Sequence, residues 1–518
     1  MSEKKAQATI LLELIRERYR PLMGQDGTAY AVQVDGPSVA LPLTGVGGLR
    51  VQMARVYTDA CGGQVPGAGA LSDAIAVFTG EAHACDPEPV NLRVASHGEA
   101  VVLDLGTADG RCVVATADGW TIEQRSPVLF RRTKLIAPLP TPIPGGTIDA
   151  FRALFNVADD DWPLIVGWMV GALLPDLPYP VLGLFGLRGS AKSVATRMIV
   201  NAISPSPAPT RSTPRDVKAW IIGAYAGWTS GIDNVSVISD EFSDWLCRAS
   251  TGEGMIDRAL YTDNDVSVIS FRRPIIINGI EPVGGQGDLA NRLLPIDLLP
   301  IVEYKDERDV WAAYAEALPG ALGALLDLLS AVLAGRDHVT TGGVARMADF
   351  ARVLAALDRA TGWRSLPRYL ALASATEAES LSQFGEALRD FAETTPGGRW
   401  TGTPTQLWEH LTPKDAHGES RPPKDWPNVR RMREQIKRNV PALRAFGITV
   451  DLDQRSADRN RERLIVLIDT TRTTTSEGAR ISSSVSSASS ATASDQQKHA
   501  DDTTPHIVRT TSASSARA

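Results

Sequence analysis

The chain has 518 residues, of which 43% are hydrophobic and 22% charged, and its formal net charge is −7. This composition is typical of a folded globular protein, and the length predicts three or four domains. The net negative charge excludes a protein that coats nucleic acid with its whole surface, so any contact with nucleic acid must come from a local basic patch.

Cysteine spacing and the lengths of the apolar runs indicate in which cellular compartment the protein is expected. The four cysteines lie far apart without a CxxC pair, so they form neither a disulfide framework nor a zinc site by spacing. The N-terminal residues carry charges on both sides of a short apolar run, unlike a signal peptide. The most apolar stretch, 162–186, is interrupted by prolines and an aspartate, short of the ~20 residues of a membrane span. We expect a cytoplasmic protein without a membrane partner.

Residues 1–137 are predicted to form an α+β domain, whose role the residues do not indicate. A charged amphipathic helix is expected within residues 1–22, followed by short β-rich runs with Gly and Asp turns. Two helical stretches, near 47–60 and 69–82, interrupt these runs. The proline-rich segment "PLPTPIPGG" at 138–146 ends the domain, since it can continue neither a helix nor a sheet.

Residues 138–305 are predicted to form an α/β core with a phosphate-binding loop. The stretch "GLRGSAKS" at 186–193 follows an apolar run typical of a buried strand and precedes a helical pattern. In this setting the backbone N–H groups and the helix N-terminus surround the phosphates of a nucleotide. Lys192 would reach the β- and γ-phosphates, and Ser193 would hold Mg²⁺. The predicted nucleotide-binding residues are Gly186, Leu187, Arg188, Gly189, Ser190, Ala191, Lys192, Ser193 and Val194.

Ala191 stands where the usual loop pattern has its second glycine. Alanine adds only one methyl group, and the residue before the lysine needs no positive φ if the helix begins there. We therefore expect a working loop, although a decayed loop is the alternative.

Two strands compete to supply the aspartate that holds magnesium. "VSVISDE" (235–241) is the more apolar run and ends in Asp240 and Glu241, the usual pair of metal ligand and base. "WTSGIDNVS" (228–236) is a poorer strand by composition and offers Asp233 with Asn234. The residues alone favour Asp240 and Glu241.

A resemblance to a known family changes this preference. The stretch from "SPAPTRSTPRDVKAW" to "SFRRPIIINGIE", with "GWTSGIDNVS", "FSDWLCR", "TGEG" and "RALYTDND" between, is similar to ATP-binding proteins of mobile elements. These proteins are related to superfamily 3 and primase-associated helicases of the AAA+ class. The resemblance covers about residues 30–470. It implies a P-loop ATPase core, with ATP and Mg²⁺ as cofactors.

The resemblance assigns roles residue by residue. It places the strand-end aspartate at Asp233, with Asn234 where the catalytic glutamate usually stands, and so leaves the water-activating residue open among Asp240, Glu241 and none. It places the polar sensor at Asn278 and the arginine finger, which a neighbouring subunit supplies, at Arg292. A hairpin around the "DND" turn would enter a central pore. These roles imply a ring-shaped homo-oligomer, expected to be a hexamer.

The remaining chain is predicted to hold a helical lid and a basic domain. Residues 306–397 are helical by apolar periodicity. Residues 398–469 hold a helix with one apolar face, formed by Val429, Met432, Ile436, Val440 and Leu443, followed by a charged hairpin. Twelve basic and six acidic residues fall within 421–463, a difference of +6. This order of elements indicates a winged helix, with Arg430, Arg433, Lys437 and Arg444 as the predicted DNA-binding residues.

The Ser/Thr-rich segment 470–518 has too few large apolar residues to fold, so we expect a disordered tail. The sequence thus predicts an ATPase that acts on single-stranded or forked DNA, as a helicase or replication motor of a mobile element. The alternatives are an ATP-controlled DNA-binding regulator or initiator with little turnover, and a structural nucleotide-binding protein.

Overall fold

The computed structural model describes eleven segments of the chain. They are residues 6–45, 47–252, 255–258, 266–269, 271–280, 288–341, 347–379, 381–414, 419–423, 426–456 and 462–472. The chain divides into two compact units, each described by itself. The first unit comprises residues 1–385 and 438–446, and the second comprises 386–437 and 447–518. Residues 473–518 of the predicted disordered tail lie outside the described residues, whereas its first three residues, 470–472, are described.

The N-terminal part of the first unit contains two sheets. Its elements are α1 (Gln7–Arg18), β1 (Tyr19–Gly24), β2 (Ala29–Gln33), β3 (Val39–Pro42), α2 (Leu49–Ala60), α3 (Ala68–His83), β4 (Pro87–Glu88), β5 (Val90–Asn91), β6 (Val94–His97), β7 (Ala100–Asp104), β8 (Cys112–Thr116), β9 (Gly119–Glu123) and β10 (Leu129–Arg131). One sheet has the order β4-β1-β2-β3-β10-β5, and the other the order β6-β7-β8-β9. Leu11, Ile15 and Phe78 lie in a core shared with the first sheet. The helices predicted within 1–22 and near 47–60 and 69–82 are confirmed as α1, α2 and α3.

The central part is built on a parallel sheet. Its elements are α4 (Asp149–Arg152), α5 (Trp162–Ala172), β11 (Val181–Phe185), α6 (Lys192–Ile203), β12 (Thr210–Ser212), α7 (Val217–Ala226), β13 (Ser230–Asp233), α8 (Asp240–Thr251), β14 (Met255–Arg258), β15 (Val266–Ile269), β16 (Ile275–Asn278) and β17 (Leu293–Asp297). The five-stranded sheet has the order β12-β13-β16-β11-β17, and every neighbouring pair is parallel. β11 is buried along its whole length, as the apolar run before the loop predicts.

This order places the ends of three strands together. The chain leaves β11 for the far edge of the sheet at β12, whereas β17 lies on the other side of β11. Ligands of open parallel sheets bind at the carboxyl ends of the strands, at the point where the strand order reverses. Here that point is the carboxyl end of β11, beside those of β16 and β13.

Three further helices complete the described core of the first unit: α9 (Glu307–Gly335), α10 (Ala348–Thr361) and α11 (Ser365–Glu379). Leu322, Leu326 and Leu354 are fully buried in the same core as α5 and α6. Residues 307–338 have the length and apolar composition of a membrane span, but 56% of their most apolar window is buried inside the protein. The apolar faces of these helices therefore form core.

The second unit contains a small antiparallel sheet. The remaining elements of the chain are α12 (Gln383–Thr394), β18 (Arg399–Gly402), α13 (Pro404–Leu411), α14 (Met432–Ala445), β19 (Ile448–Asp451) and β20 (Ile465–Asp469). The sheet has the order β18-β20-β19. Thr403 and Gln406 form a reciprocal capping box at the start of α13, which fixes where that helix begins. The hairpin predicted after the basic helix corresponds to β19 and β20.

A candidate nucleotide site at the strand ends

Residues 186–191 connect β11 to α6 and contain three unusual backbone conformations. Gly186 has φ +142°, and a Cβ atom there would lie 2.6 Å from the Leu298 carbonyl oxygen, so only glycine fits. Gly189 has φ +82°. Ala191 has φ 56° and ψ 27°, so the expectation that helical geometry begins at this residue is wrong. A residue other than glycine in this left-handed region costs about 1–2 kcal/mol, and such strain concentrates at functional sites.

The lysine of the loop lies across the loop itself. Its Nζ donates to the carbonyl oxygens of Gly186, at 2.8 Å, and Leu187, at 2.7 Å. Partial burial lowers the pKa of Lys192, and the negative charge of Asp233 partly opposes that shift. The ammonium group is therefore held at the mouth of the loop by neutral carbonyls.

Ser193 and Asp233 meet beside this lysine. The Ser193 hydroxyl, in the first turn of α6, donates to Asp233 Oδ1 at 2.7 Å. Asp233 is half-buried at the last position of β13. A hydroxyl and a carboxylate oxygen are hard ligands of the kind that Mg²⁺ accepts beside phosphate and water. One hydroxyl with one carboxylate therefore suits an ion whose other ligands come from phosphate and water. Among the described residues no group of three or more His, Cys, Asp or Glu side chains could hold a metal ion.

The strand assignment based on residues alone is wrong. β13 ends at Asp233, and residues 235–239 form no strand. Asp240 and Glu241 are exposed residues in the first turn of α8, which the Ser239 side chain caps. The apolar run ahead of them therefore leads into a helix rather than to the sheet edge.

Close packing explains the weak strand pattern of β13. A Cβ atom on Gly231 would lie 2.5 Å from Thr196 Cγ2 of α6 and 3.1 Å from Thr210 Cγ2 of β12. Ser230 is also buried. β13 thus has small side chains where α6 crosses it. The close contact of helix and strand brings Ser193 within hydrogen-bonding distance of Asp233.

Asn278, at the end of β16, joins three elements at the same edge. It is 1% exposed. Its Nδ2 donates to Thr196 Oγ1 at 2.8 Å, and its Oδ1 accepts from the Asn234 backbone N–H at 2.9 Å. Asn234 has φ 54°, a left-handed conformation. The predicted sensor residue therefore contacts the predicted metal strand and the helix after the loop.

A cavity of about 470 Å³ adjoins the loop at Gly189 and Ala191. Apolar side chains line much of it, among them Leu154, Phe155, Val194, Ile301 and Val310. At its border Arg197 of α6 pairs with Glu307 of α9 at 3.2 Å and lies 5.1 Å from the centre of the Trp311 ring. The cavity has the size of a small-molecule site that is mostly apolar with a few polar groups.

Arg292 lies at the amino ends of the strands, opposite the end of the sheet that carries the loop. It ends the 3₁₀ turn Ala290–Arg292, directly before β17, and pairs with Asp288 at 2.7 Å. β17 runs parallel to β11, with Leu293 opposite Val181 and Asp297 opposite Phe185. Arg292 is level with residue 180, six positions before Gly186. At about 3.3 Å per strand residue, it is separated from the loop of its own chain by roughly 20 Å along the strands. The structure does not bring it to the other predicted site residues.

The region predicted to enter a pore is described only in part. β14 and β15 pair antiparallel, from Met255 opposite Ile269 to Arg258 opposite Val266, while the "DND" turn lies outside the described residues. Arg273, which lies between β15 and β16, is buried. Its Nε donates to the carbonyl oxygens of Ala224 and Gly227 at 3.0 and 2.9 Å, and burial lowers its pKa to about 10.

The predicted DNA-binding residues differ in their surroundings. Lys437 and Arg444 are exposed on α14, and Arg430 is exposed but precedes the helix, which begins at Met432. Arg433 is half-buried, because its guanidinium donates to the carbonyl oxygens of Leu452 and Leu464. Met432, Ile436 and Leu443 of the predicted apolar face are fully buried.

Comparison with known proteins gives two matches in adjacent parts of the chain. Residues 148–377 match the family model of the replication protein of actinomycete integrative conjugative elements, and residues 384–484 match the model of that protein's C-terminal domain. Both matches point to one replication protein of a mobile element. The expected kinship with mobile-element proteins is thereby supported.

Solved structures and curated sequences add little to this replication-protein match. Three structures of the NrS-1 C-terminal region are similar at 13–15% identity, cover 89–90% of this chain and 99–100% of their own, and have TM-scores of 0.39–0.42. No curated sequence matches the chain.

Sequence reasoning missed several residues around the cavity. Asn156 donates through Nδ2 to the Ser190 carbonyl oxygen at 3.1 Å and also to that of Leu299, and so supports the loop from outside. Arg197 follows Ser193 by four positions on α6, so helical spacing could have placed it one turn beyond the loop. Nothing near Asn156 in the sequence indicates its contact.

Proposed function

We propose that this replication protein binds ATP with Mg²⁺ at residues 186–194 and hydrolyses it while acting on DNA. The observation that carries the proposal is the Ser193–Asp233 contact of 2.7 Å beside Lys192. Two elements distant in sequence, the start of α6 and the end of β13, place an ammonium, a hydroxyl and a carboxylate at one end of a parallel sheet. This arrangement supports the predicted P-loop ATPase core of AAA+ or superfamily 3 type.

The residues have distinct tasks in this proposal. Lys192 exchanges its carbonyl partners for the β- and γ-phosphate oxygens, and the first N–H groups of α6, which have no acceptor inside the helix, donate to the phosphates. Ser193 and Asp233 hold Mg²⁺, which supplies positive charge to the transferred phosphoryl group. Asn278 positions Asn234 and α6. The apolar cavity beside Ala191 takes the nucleobase.

A neighbouring copy completes the site. Arg292 is too far from its own loop to stabilise charge there, so it serves the site of the next subunit as an arginine finger. A contact between the amino ends of the strands in one copy and the carboxyl ends in the next is heterologous, and it forms a ring where the rotation closes. We propose a hexamer with the paired strands β14 and β15 directed towards DNA, and a winged helix in the second unit that contributes basic residues to DNA binding.

A second function, an ATP-controlled regulator or initiator, has one observation in its favour. Asn234 follows the metal aspartate where a base is usually found, and an amide orients water but takes up no proton. Asp240 and Glu241 are the next acidic residues, on α8. If neither reaches the attacking water, ATP binding controls assembly with little turnover.

Hydrolysis measured with and without forked DNA separates the two functions. For the motor, DNA stimulates turnover, Lys192→Ala abolishes it, and Lys134→Ala, a change at an exposed lysine away from the loop, leaves it unchanged. Tight ATP binding with negligible turnover under both conditions would contradict the helicase and favour the regulator.

A further inference from the structure

A basic cleft of about 390 Å³ lies in the second unit between the start of α14 and the segments next to β19 and β20. Its charged lining is formed by Arg433, Lys437, Arg455, Arg463, Glu434 and Asp453. Four cations face two carboxylates, in a chain whose net charge is −7. The cleft is therefore positive although the protein as a whole is not.

Arg433 holds the floor of the cleft in place. Its guanidinium donates to the carbonyl oxygen of Leu452, after β19, and to that of Leu464, before β20, the latter at 3.5 Å. Carbonyl oxygens satisfy the donors without cancelling the charge. Arg433 thus fixes the spacing of the two hairpin segments and keeps a positive charge beneath them.

Arg455 and Arg463 lie directly opposite each other on the hairpin. They are antiparallel bridge partners. The flanking bonds run from Leu464 N to Gln454 O at 2.9 Å and from Ser456 N to Glu462 O at 2.8 Å. Arg455 and Arg463 are therefore a non-hydrogen-bonded pair, with Cα atoms about 4.5 Å apart and side chains on the same face. Like charges at such a position destabilise a sheet.

An anion between the two guanidinium groups removes this repulsion. Guanidinium groups match the oxygens of a phosphodiester in geometry and in charge. Lys437, exposed on α14, adds an ammonium from the other wall of the cleft. The match of residues 384–484 to the C-terminal domain of a replication protein favours nucleic acid over an acidic protein segment as the source of that anion.

We propose that this cleft binds a backbone phosphate of DNA through Lys437, Arg455 and Arg463, with Arg433 as a positioning residue. This inference rests on the proposed action on DNA and deepens it. It moves the principal phosphate contact from Arg430 and Arg444, which do not line the cleft, to the space between α14 and the hairpin.

The test is the affinity of the full chain for a fluorescein-labelled forked duplex, measured by anisotropy over a series of salt concentrations. Removing one arginine–phosphate contact reduces the slope of log affinity against log salt concentration by about 1. For the double variant Arg455→Gln/Arg463→Gln we expect affinity to fall on the order of tenfold near 0.1 M salt and the slope to fall by about 2. Arg399→Gln, which removes one exposed charge of β18 outside the cleft, should change affinity less than about twofold.

Each outcome has one meaning. If the wild type binds the duplex and the double variant binds it with the same affinity and slope, the cleft is not a phosphate site, although the action on DNA stands. A loss of about threefold in Arg399→Gln, half of the double variant's loss in log affinity for half of the charge removed, would reduce the effect to net charge and overturn the site. If the wild type does not bind the duplex, the proposed DNA function fails. Tighter binding of labelled polyglutamate than of DNA at the same salt would assign the cleft to an acidic protein partner.

Discussion

Ala191 occupies a left-handed conformation directly before the lysine of the loop, with φ 56°. Glycine adopts this conformation without steric cost, alanine adopts it at about 1–2 kcal/mol, and a β-branched residue is a genuine outlier there. The loop thus keeps the geometry of the usual glycine while carrying a methyl group. We therefore expect this position to accept glycine and alanine but not a β-branched residue.

Substitution at Ala191 should separate backbone geometry from side-chain chemistry. We expect Ala191→Gly to bind Mg²⁺–ATP at least as tightly as the wild type, because glycine relieves the strain. Ala191→Val should lose at least about tenfold in affinity, equivalent to roughly 1.4 kcal/mol. Titration calorimetry measures both. A glycine variant weaker than the wild type would show that the methyl group contacts the ligand and is not merely tolerated.

The ion pair between Arg197 and Glu307 gives a second residue-level prediction. It links α6 to α9 at the border of the cavity beside the loop. Glu307 is largely exposed, so the pair itself contributes little stability. Glu307→Gln should therefore leave the unfolding midpoint within about 2 °C and raise the KM for ATP more than it changes kcat. A fall in kcat at unchanged KM would show instead that the ion pair acts on the hydrolysis step and not on ATP binding.

At the scale of elements, the contact of α6 with β13 determines the site. Gly231 permits this contact, and the same contact made β13 hard to recognise. The strand is short and has small side chains because Thr196 packs against it. Its composition was therefore less typical of a strand than that of the apolar run 235–239. A tertiary contact of this kind leaves no local pattern, which is why only the family resemblance pointed to Asp233.

Gly231→Ala tests this packing. The added Cβ would lie 2.5 Å from Thr196 Cγ2, and overpacking of this kind costs about 1–3 kcal/mol. We expect a lower midpoint of thermal unfolding together with weaker Mg²⁺–ATP binding. Gly80→Ala in α3, where nothing lies within 4 Å of the new atom, should be neutral or stabilising. Equal effects of the two changes would contradict the account of β13.

In the basic helix α14, the sequence predicts which apolar residues are buried but not which basic residues are bound to carbonyl groups. Helical period placed the buried face of α14 correctly at Met432, Ile436 and Leu443. It could not distinguish Arg433, which binds hairpin carbonyls, from Lys437, which remains exposed. Likewise, Arg273 satisfies the carbonyls at the end of α7, a need that arises from the fold and not from neighbouring residues.

At the scale of the whole molecule, the first unit joins the N-terminal sheet to the core built on the parallel sheet. Tyr225 of α7 donates its hydroxyl to Asp26 Oδ2 at 3.0 Å, and Arg131 of β10 donates to the Tyr225 carbonyl oxygen at 2.9 Å. The N-terminal part is therefore attached directly to a helix of the core. No local pattern indicates these attachments, because they join residues more than ninety positions apart.

The position of Arg292 predicts that each site needs a second copy. Arg292→Ala should bind ATP as the wild type does but lose about 10³-fold or more in turnover. Lys192→Ala should be inactive because it lacks the loop lysine. In a one-to-one mixture, about a quarter of the interfaces join an intact loop to an intact arginine, so turnover should return. A mixture as inactive as its components would contradict the shared site.

Calorimetric titration of ATP into the full chain measures whether residues 186–194 with Asp233 form a site for Mg²⁺–ATP. We expect one site per chain whose affinity depends on Mg²⁺. Lys192→Ala should abolish binding, Asp233→Asn should remove the dependence on Mg²⁺, and Lys134→Ala should bind as the wild type does. Binding of equal strength in wild type, Lys192→Ala and Asp233→Asn, with or without Mg²⁺, would contradict this site.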